Sequence, residues 1–190
     1  MVTRRRFLGG LGLAGVGLVL PRPARATTAI AVTLSQLVYD SAHVVVGTSV
    51  DAFCQWERIA GKSRLVTYSL VSVERPLDGR ATPTKEVMVR TLGGVLGDKG
   101  QIVHGEAVVA LGEPAAIFLR PLARDLFSVT HMAQGHYPLE DDSTGERRLR
   151  AALEALELVE VPDAAVHRLH GASLPEAEVI LAKEFGRVGR

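Results

Sequence analysis

The sequence predicts a mainly β domain, a small antiparallel barrel or sandwich, with a short N-terminal helix and C-terminal helices. Three observations carry this. Between residues 44 and 139 apolar positions recur with a period of two in short runs, the pattern of half-buried strands. Glycine, proline and Asp-Gly clusters punctuate those runs. Outside that region the period changes to that of a helix, and capping pairs stand at the changes.

The elements follow in chain order. Thr33 and Gln36 form a capping pair, and Leu34, Leu37 and Val38 share one side of a short helix. Val44, Val46, Thr48, Val50, Ala52, Cys54 and Trp56 then alternate onto one face of a long extended segment. Ala60-Gly61-Lys62-Ser63 turns the chain, and 65–74 reads as a second strand with both faces largely apolar. After the turn Pro76-Leu77-Asp78-Gly79, residues 86–92 are the third strand. Gly93, Gly94, Gly97 and Gly100 surround Asp98 and Lys99 in a glycine-rich loop. Short extended pieces over 101–104 and 107–110 lead to the turn Gly112-Glu113-Pro114. Strands over 115–120 and 126–133 flank a polar turn, Gln134-Gly135 interrupts, and 136–139 ends the β region. Beyond the solvated run Glu140-Asp141-Asp142, Ser143 and Glu146 are expected to open a helix with Leu149, Leu153 and Leu156 on one face. Ser173 and Glu176, with Pro175 between them, open another, which turns Val179, Ile180 and Leu181 toward the core and stops near Gly186.

The first 26 residues read as an export signal. Thr3-Arg4-Arg5-Arg6-Phe7-Leu8 is a twin-arginine signature, the apolar run Phe7 to Leu20 follows, and Ala24-Arg25-Ala26 supplies a small-residue cleavage site. Gly9, Gly10, Gly12, Gly15 and Gly17 keep the run only moderately hydrophobic, and Arg25 beside the cleavage site suits the twin-arginine route. The run is 14 residues long, short against the roughly 20 that a spanning helix needs. The expected organisation is thus a signal peptide over 1–26, a β domain over 27–139 and a helical extension over 140–190. The expected location is the periplasm or the exterior, with the twin-arginine translocase as partner during export and no membrane anchor after cleavage.

Five of the 22 basic residues lie in that leader and none of the 21 acidic ones, which leaves 17 basic against 21 acidic residues after cleavage. A mildly acidic chain lacks the basic face that phosphate-backbone binding requires, so nucleic acid is not an expected partner. Cys54 is the only cysteine, which excludes a disulfide framework and zinc sites built on two or more thiolates.

A series of short motifs carries a resemblance. Ala42-His43-Val44-Val45-Val46-Gly47 is followed by Gly93-Gly94, Gly100-Gln101, Gly105-Glu106, Gly112-Glu113, Ile117-Phe118-Leu119 and Ala133-Gln134-Gly135. The series resembles a family of twin-arginine-exported bacterial proteins of uncharacterised function. The layout of residues 34–139 also resembles the OB-like barrel of netrin-like domains and tissue inhibitors of metalloproteases. The resemblance implies a backbone path, since its motifs are glycines and turns. The inhibitors act through an amino-terminal cysteine and disulfides, which this chain does not have, so their mechanism is not implied.

Each candidate for chemistry has a plainer reading beside it. The 93–100 loop could cradle a phosphate, but it lacks a P-loop pattern, and glycines there serve tight barrel corners. His131 with His136, and His167 with His170, could ligate a metal, but no H-E-x-x-H occurs and odd spacing on a strand turns side chains to opposite faces. Cys54 could be a nucleophile, yet on the apolar alternation it packs as a small hydrophobe. Glu106 and Glu113 could pair across a turn, although turn polarity explains both; G-x-S-x-G is absent. The Asp141-Asp142 run reads as a solvated boundary.

The resulting expectation is a binding or interaction module without catalysis or cofactor, whose partner is a protein or an extracellular ligand. Its contact surface is expected to use Trp56, Tyr68, Gly93, Gly94, Asp98, Gln101, Glu106 and Gln134. The alternative is a small periplasmic metal-binding protein or enzyme using His131 and His136 with Glu106.

Overall fold

The computed structural model describes residues 27–79, 84–153 and 156–189. The predicted leader, with Arg4, Arg5, Phe7, Leu8, Ala24 and Ala26, lies outside the described residues.

The fold is mainly β, with helices in its N- and C-terminal regions, as expected from the sequence. A short strand β1 (Thr27–Ile30) precedes α1 (Leu34–Asp40), whose N-cap Thr33 accepts the Gln36 N–H at 3.2 Å. The long strands β2 (His43–Ile59) and β3 (Lys62–Pro76) form a hairpin, and β4 (Glu86–Leu92) lies antiparallel beside β3. A small separate hairpin, β5 (Gly94–Leu96) and β6 (Lys99–Gln101), occupies the glycine-rich loop. β7 (Pro114–Ala123) returns beside β2, and β8 (Leu126–Val129), β9 (His136–Asp141) and β10 (Arg147–Leu149) complete the main sheet.

That sheet runs β10-β9-β7-β2-β3-β4-β8, and β8 also pairs with β7. Five strands (β2, β3, β4, β8, β7) thereby close into a ring, with β4–β8 its one parallel pair. β7 makes this possible by dividing its second edge: residues 115–117 pair with β9, and the segment from Leu119 pairs with β8.

Two cores share this sheet. The ring encloses Val45, Val71, Val89, Ile117, Leu119 and Phe127. Its other face at β2, β7, β9 and β10 presents Val44, Val46, Phe118, Tyr137 and Leu149 to a helical layer of α1, α2 (Ala165–Leu169) and α3 (Leu174–Arg187). Strand residues 44–46 are consequently buried on both sides, which is why they read as a continuous valine run. Burial pushes the Tyr137 phenol well above its usual range.

Four expectations need correction. The alternation along β2 does not keep one face: an extra residue at Val50, between the pairs Ser49↔Val71 and Asp51↔Leu70, inverts it. Val44 and Val46 therefore face the helices, whereas Cys54 pairs with Thr67 on the ring's inner side. Residues 143–153 do not form the expected helix; they include a turn and β10, and β11 (Leu156–Val159) pairs parallel with β1. The cause is Asp142, whose Oδ1 accepts from the Thr144 N–H, the Thr144 hydroxyl and the Glu146 N–H, while Gly145 adopts φ +81°. The strand expected over 126–133 ends at Val129 and gives way to a 3₁₀ turn, Met132–Gly135. On α3 the buried stripe is Leu174, Ala177, Leu181 and Phe185; Val179 faces solvent.

The C-terminal helices dock. The capping box Ser173–Glu176 opens α3, and Ser35 on α1 donates to the buried Glu184 at 2.5 Å, which Arg187 also contacts. No helix among the described residues is long and apolar enough to cross a membrane.

Candidate functional site

A cleft of about 450 Å³ lies beneath the β5–β6 hairpin. It arises because β4 stops at Leu92 and the chain folds over the ring's inner face instead of continuing the sheet. Gly93 donates its N–H to the Leu65 carbonyl at 2.8 Å, and the Gln101 Oε1 accepts the Leu65 N–H at 3.1 Å. Both ends of the hairpin are thus pinned to one residue of β3. Gly94, at φ +129°, lies so close to Cys54 and Thr67 that a Cβ would overlap Sγ and Oγ1. Gly93 and Gly94 therefore serve close backbone packing, Gly93 against the Gln101 carbonyl and Gly94 against β2 and β3.

Four of the residues singled out in the sequence meet here: Gly93, Gly94, Gln101 and Glu106 all line the cleft. Leu92, Val95, Ile102, Val103, Ala107 and Val108 supply the rest of its apolar wall, and sequence reasoning did not select them. Their signal was present in Ile102-Val103, branched apolar residues directly after a glycine loop, and in the alternation of 107–110. That alternation survives without a strand: Ala107 and Val109 enter the ring core, and Val108 faces out. At the cleft's mouth Val95, Ile102 and Val108 are 71%, 84% and 76% exposed.

Glu106 is the one ionisable side chain lining the cleft. Its Oε1 accepts the Ala107 N–H at 3.1 Å, and the Leu92 backbone also donates to the carboxylate. Burial raises its pKa above the ordinary carboxyl value, with those two hydrogen bonds and the field of Arg90 opposing the rise. The Gln101 Nε2 is buried without a partner.

The other expected contact residues are placed elsewhere. Trp56 pairs with Leu65 and Tyr68 with Phe53, so Trp56 and Tyr68 project from opposite faces of the β2–β3 ribbon. Tyr68 stacks on Phe53, centroids 5.1 Å apart, and donates to Glu57, which also accepts from Arg90 at 3.1 Å. The Tyr68 hydrogen bond leads the forces that lower the Glu57 pKa; burial, then Glu57 itself, raises that of Tyr68. Asp98 is exposed in the hairpin turn and does not line the cleft. Gln134 ties the N-terminal strand down, accepting the Val32 N–H at 2.7 Å and donating to the Ile30 carbonyl at 3.1 Å.

The histidines do not converge. His131 Nε2 lies 2.7 Å from Asp40 at the end of α1, whereas His136 is buried in β9 opposite Ile117. Gln36 first, and then His131, hold the Asp40 carboxyl below its usual range. His167 sits near Glu160, and His170 Nδ1 accepts the Ala151 N–H. Glu113 is on an exposed turn, away from the cleft lining. Among the described residues no group of three or more His, Cys, Asp or Glu side chains is placed to hold a metal ion.

No protein-family model matches the chain, and no curated protein matches it either.

Proposed function

We propose that the protein is an exported binding module, without covalent chemistry of its own, whose ligand site is the cleft beneath the β5–β6 hairpin. The observation that carries this is the cleft's build: an apolar wall of branched side chains left in water at its mouth, around one carboxylate and one amide. Small-molecule sites have this composition, and their volumes run from about 300 to 1,000 Å³. Solvent-exposed apolar clusters of this kind mark binding surfaces.

The export reading is supported by the twin-arginine signature and the Ala24-Arg25-Ala26 cleavage site; on it, the working form acts in the periplasm or outside the cell after passage through the twin-arginine translocase. A five-stranded ring closed by a single parallel pair supports the OB-like reading, and binding is a common use of such barrels. Native mass spectrometry of the mature protein from its own periplasm tests the function. The expected result is an added mass that Ile102→Asp removes. A bare mass for both proteins would overturn the reading.

A further inference from the structure

We infer that the cleft beneath the β5–β6 hairpin takes a small amphiphilic monocation, an alkyl- or arylalkyl-ammonium whose apolar body lies on the aliphatic wall and whose N–H groups reach Glu106. The inference rests on the binding-module reading and adds the chemical class of the ligand.

Charge complementarity decides the head group. Eleven residues line the cleft, and Glu106 alone among them carries charge. An anionic ligand would meet a carboxylate with no lining cation to balance it. A neutral amphiphile would complete the desolvation of that carboxylate without compensating for it, which is costly. A monocation removes both penalties. Arg90, whose field reaches Glu106, is already engaged by Glu57 at 3.1 Å.

Hydrogen-bond capacity points the same way. An ionised carboxylate offers about four lone-pair sites, and the Ala107 and Leu92 backbone donors use only part of that capacity. Those donors also fix the carboxylate, so a bound ammonium meets an acceptor already oriented. The Gln101 Nε2 is itself a donor, which an ammonium does not satisfy, so the head group is held by Glu106 alone. The body of the ligand follows from the wall: Leu92, Val95, Ile102, Val103 and Val108 offer branched aliphatic surface. Covering Val95, Ile102 and Val108 would withdraw the most exposed apolar side chains of this end of the molecule from water.

The test uses the mature full chain and four probes: n-hexylammonium, phenethylammonium, n-hexanol and hexanoate. Binding is followed by calorimetry and by the amide resonances of Gly93, Gly94 and Val108. Both ammoniums are expected to shift those resonances and to bind about ten-fold or more tightly than hexanol, as suits a hydrogen bond to a charged group. Hexanoate should leave the resonances in place. Glu106→Gln keeps an acceptor for the backbone donors and should bring hexylammonium down to the affinity of hexanol. Ile102→Ser, at an exposed position, should weaken all the apolar probes that bind.

Equal affinity for hexanol and hexylammonium, or an ammonium preference that survives Glu106→Gln, would overturn the monocation and leave the cleft as a binding site. Failure of every probe to shift the three resonances would overturn the cleft itself, and the binding-module reading with it. Tighter binding of Nα-acetyl-lysine methylamide than of hexylammonium would overturn the small-molecule assignment in favour of a lysine side chain on a protein.

Discussion

The helix-backed side of the sheet and the hairpin end of the barrel share one strand, β2, yet they treat apolar side chains in opposite ways. At the start of β2, Val44 and Val46 disappear beneath α1 and α3, and Val45 on the other face enters the ring core. Beyond the bulge at Val50 the same strand runs out into water beside a hairpin whose Val95 and neighbouring Ile102 remain exposed. The first region satisfies itself. The second stops short of doing so. The difference teaches where stability and function are separated in this chain.

The largest effects should fall on the helix-backed side. Phe118 is fully buried, tilted at 59° against Tyr137 with ring centroids 6.0 Å apart, and packed among residues of the helical layer. Phe118→Ala should cost about 3–5 kcal/mol, since it removes a large apolar group and leaves a cavity. Urea unfolding followed by circular dichroism measures it. A cost no larger than that of a surface substitution would erase the distinction between the two regions.

Gly94 seats the hairpin on the inner face of the ring, and its substitution should have an intermediate effect. A side chain there meets Cys54 and Thr67 and must also adopt φ +129°. Gly94→Val should cost about 1–3 kcal/mol through overpacking and strained backbone. It should also lift the hairpin, which the reactivity of Cys54 toward a maleimide would report as faster labelling. Unchanged stability and unchanged labelling would show that the hairpin is not seated as described.

The parts of this arrangement that were legible in the sequence are those governed by local pattern. Period-two runs located β2, β3, β4 and β7, and four of the expected contact residues, Gly93, Gly94, Gln101 and Glu106, line one cleft. What was not legible depends on partners distant in sequence. The bulge at Val50 inverts the faces of β2, and no residue type there announces it. Asp142 captured the Ser143–Glu146 capping signal for a turn; the Gly145 beside it was the available warning. His131 and His136 are five apart in sequence, but left-handed backbone at His131 and Met132 sends their side chains to different neighbours. Tyr68 was linked with Trp56 by residue type, and the pleat of the ribbon separates them.

Glu106 sharpens the comparison through pH. Burial raises its carboxyl pKa in the folded protein, so the folded state holds that proton more tightly than the unfolded chain does. Its favourable contribution is therefore fully present below the ordinary carboxyl value and is lost as pH rises through the raised one. Glutamine does not titrate. The stability of Glu106→Gln relative to wild type should thus be higher near neutral pH than in mild acid, in thermal melts at both. The opposite trend would mean that the Ala107 and Leu92 donors and the field of Arg90 outweigh the burial.

The smallest effect on stability should come from the cleft's mouth, and it is the most informative about function. Val108 and Ile102 are mostly exposed, so replacing either by serine removes little buried apolar surface. Ile102→Ser and Val108→Ser should each change stability by less than about 0.5 kcal/mol, as surface substitutions do. If the apolar wall existed for folding, both would destabilise the chain, and its exposure would need another explanation. If it exists to be covered by a ligand, the two variants should melt with wild type and fail only when hexylammonium is titrated. Stability and binding would then be lost at different residues, Phe118 for the one and Ile102 for the other, although a single sheet carries both.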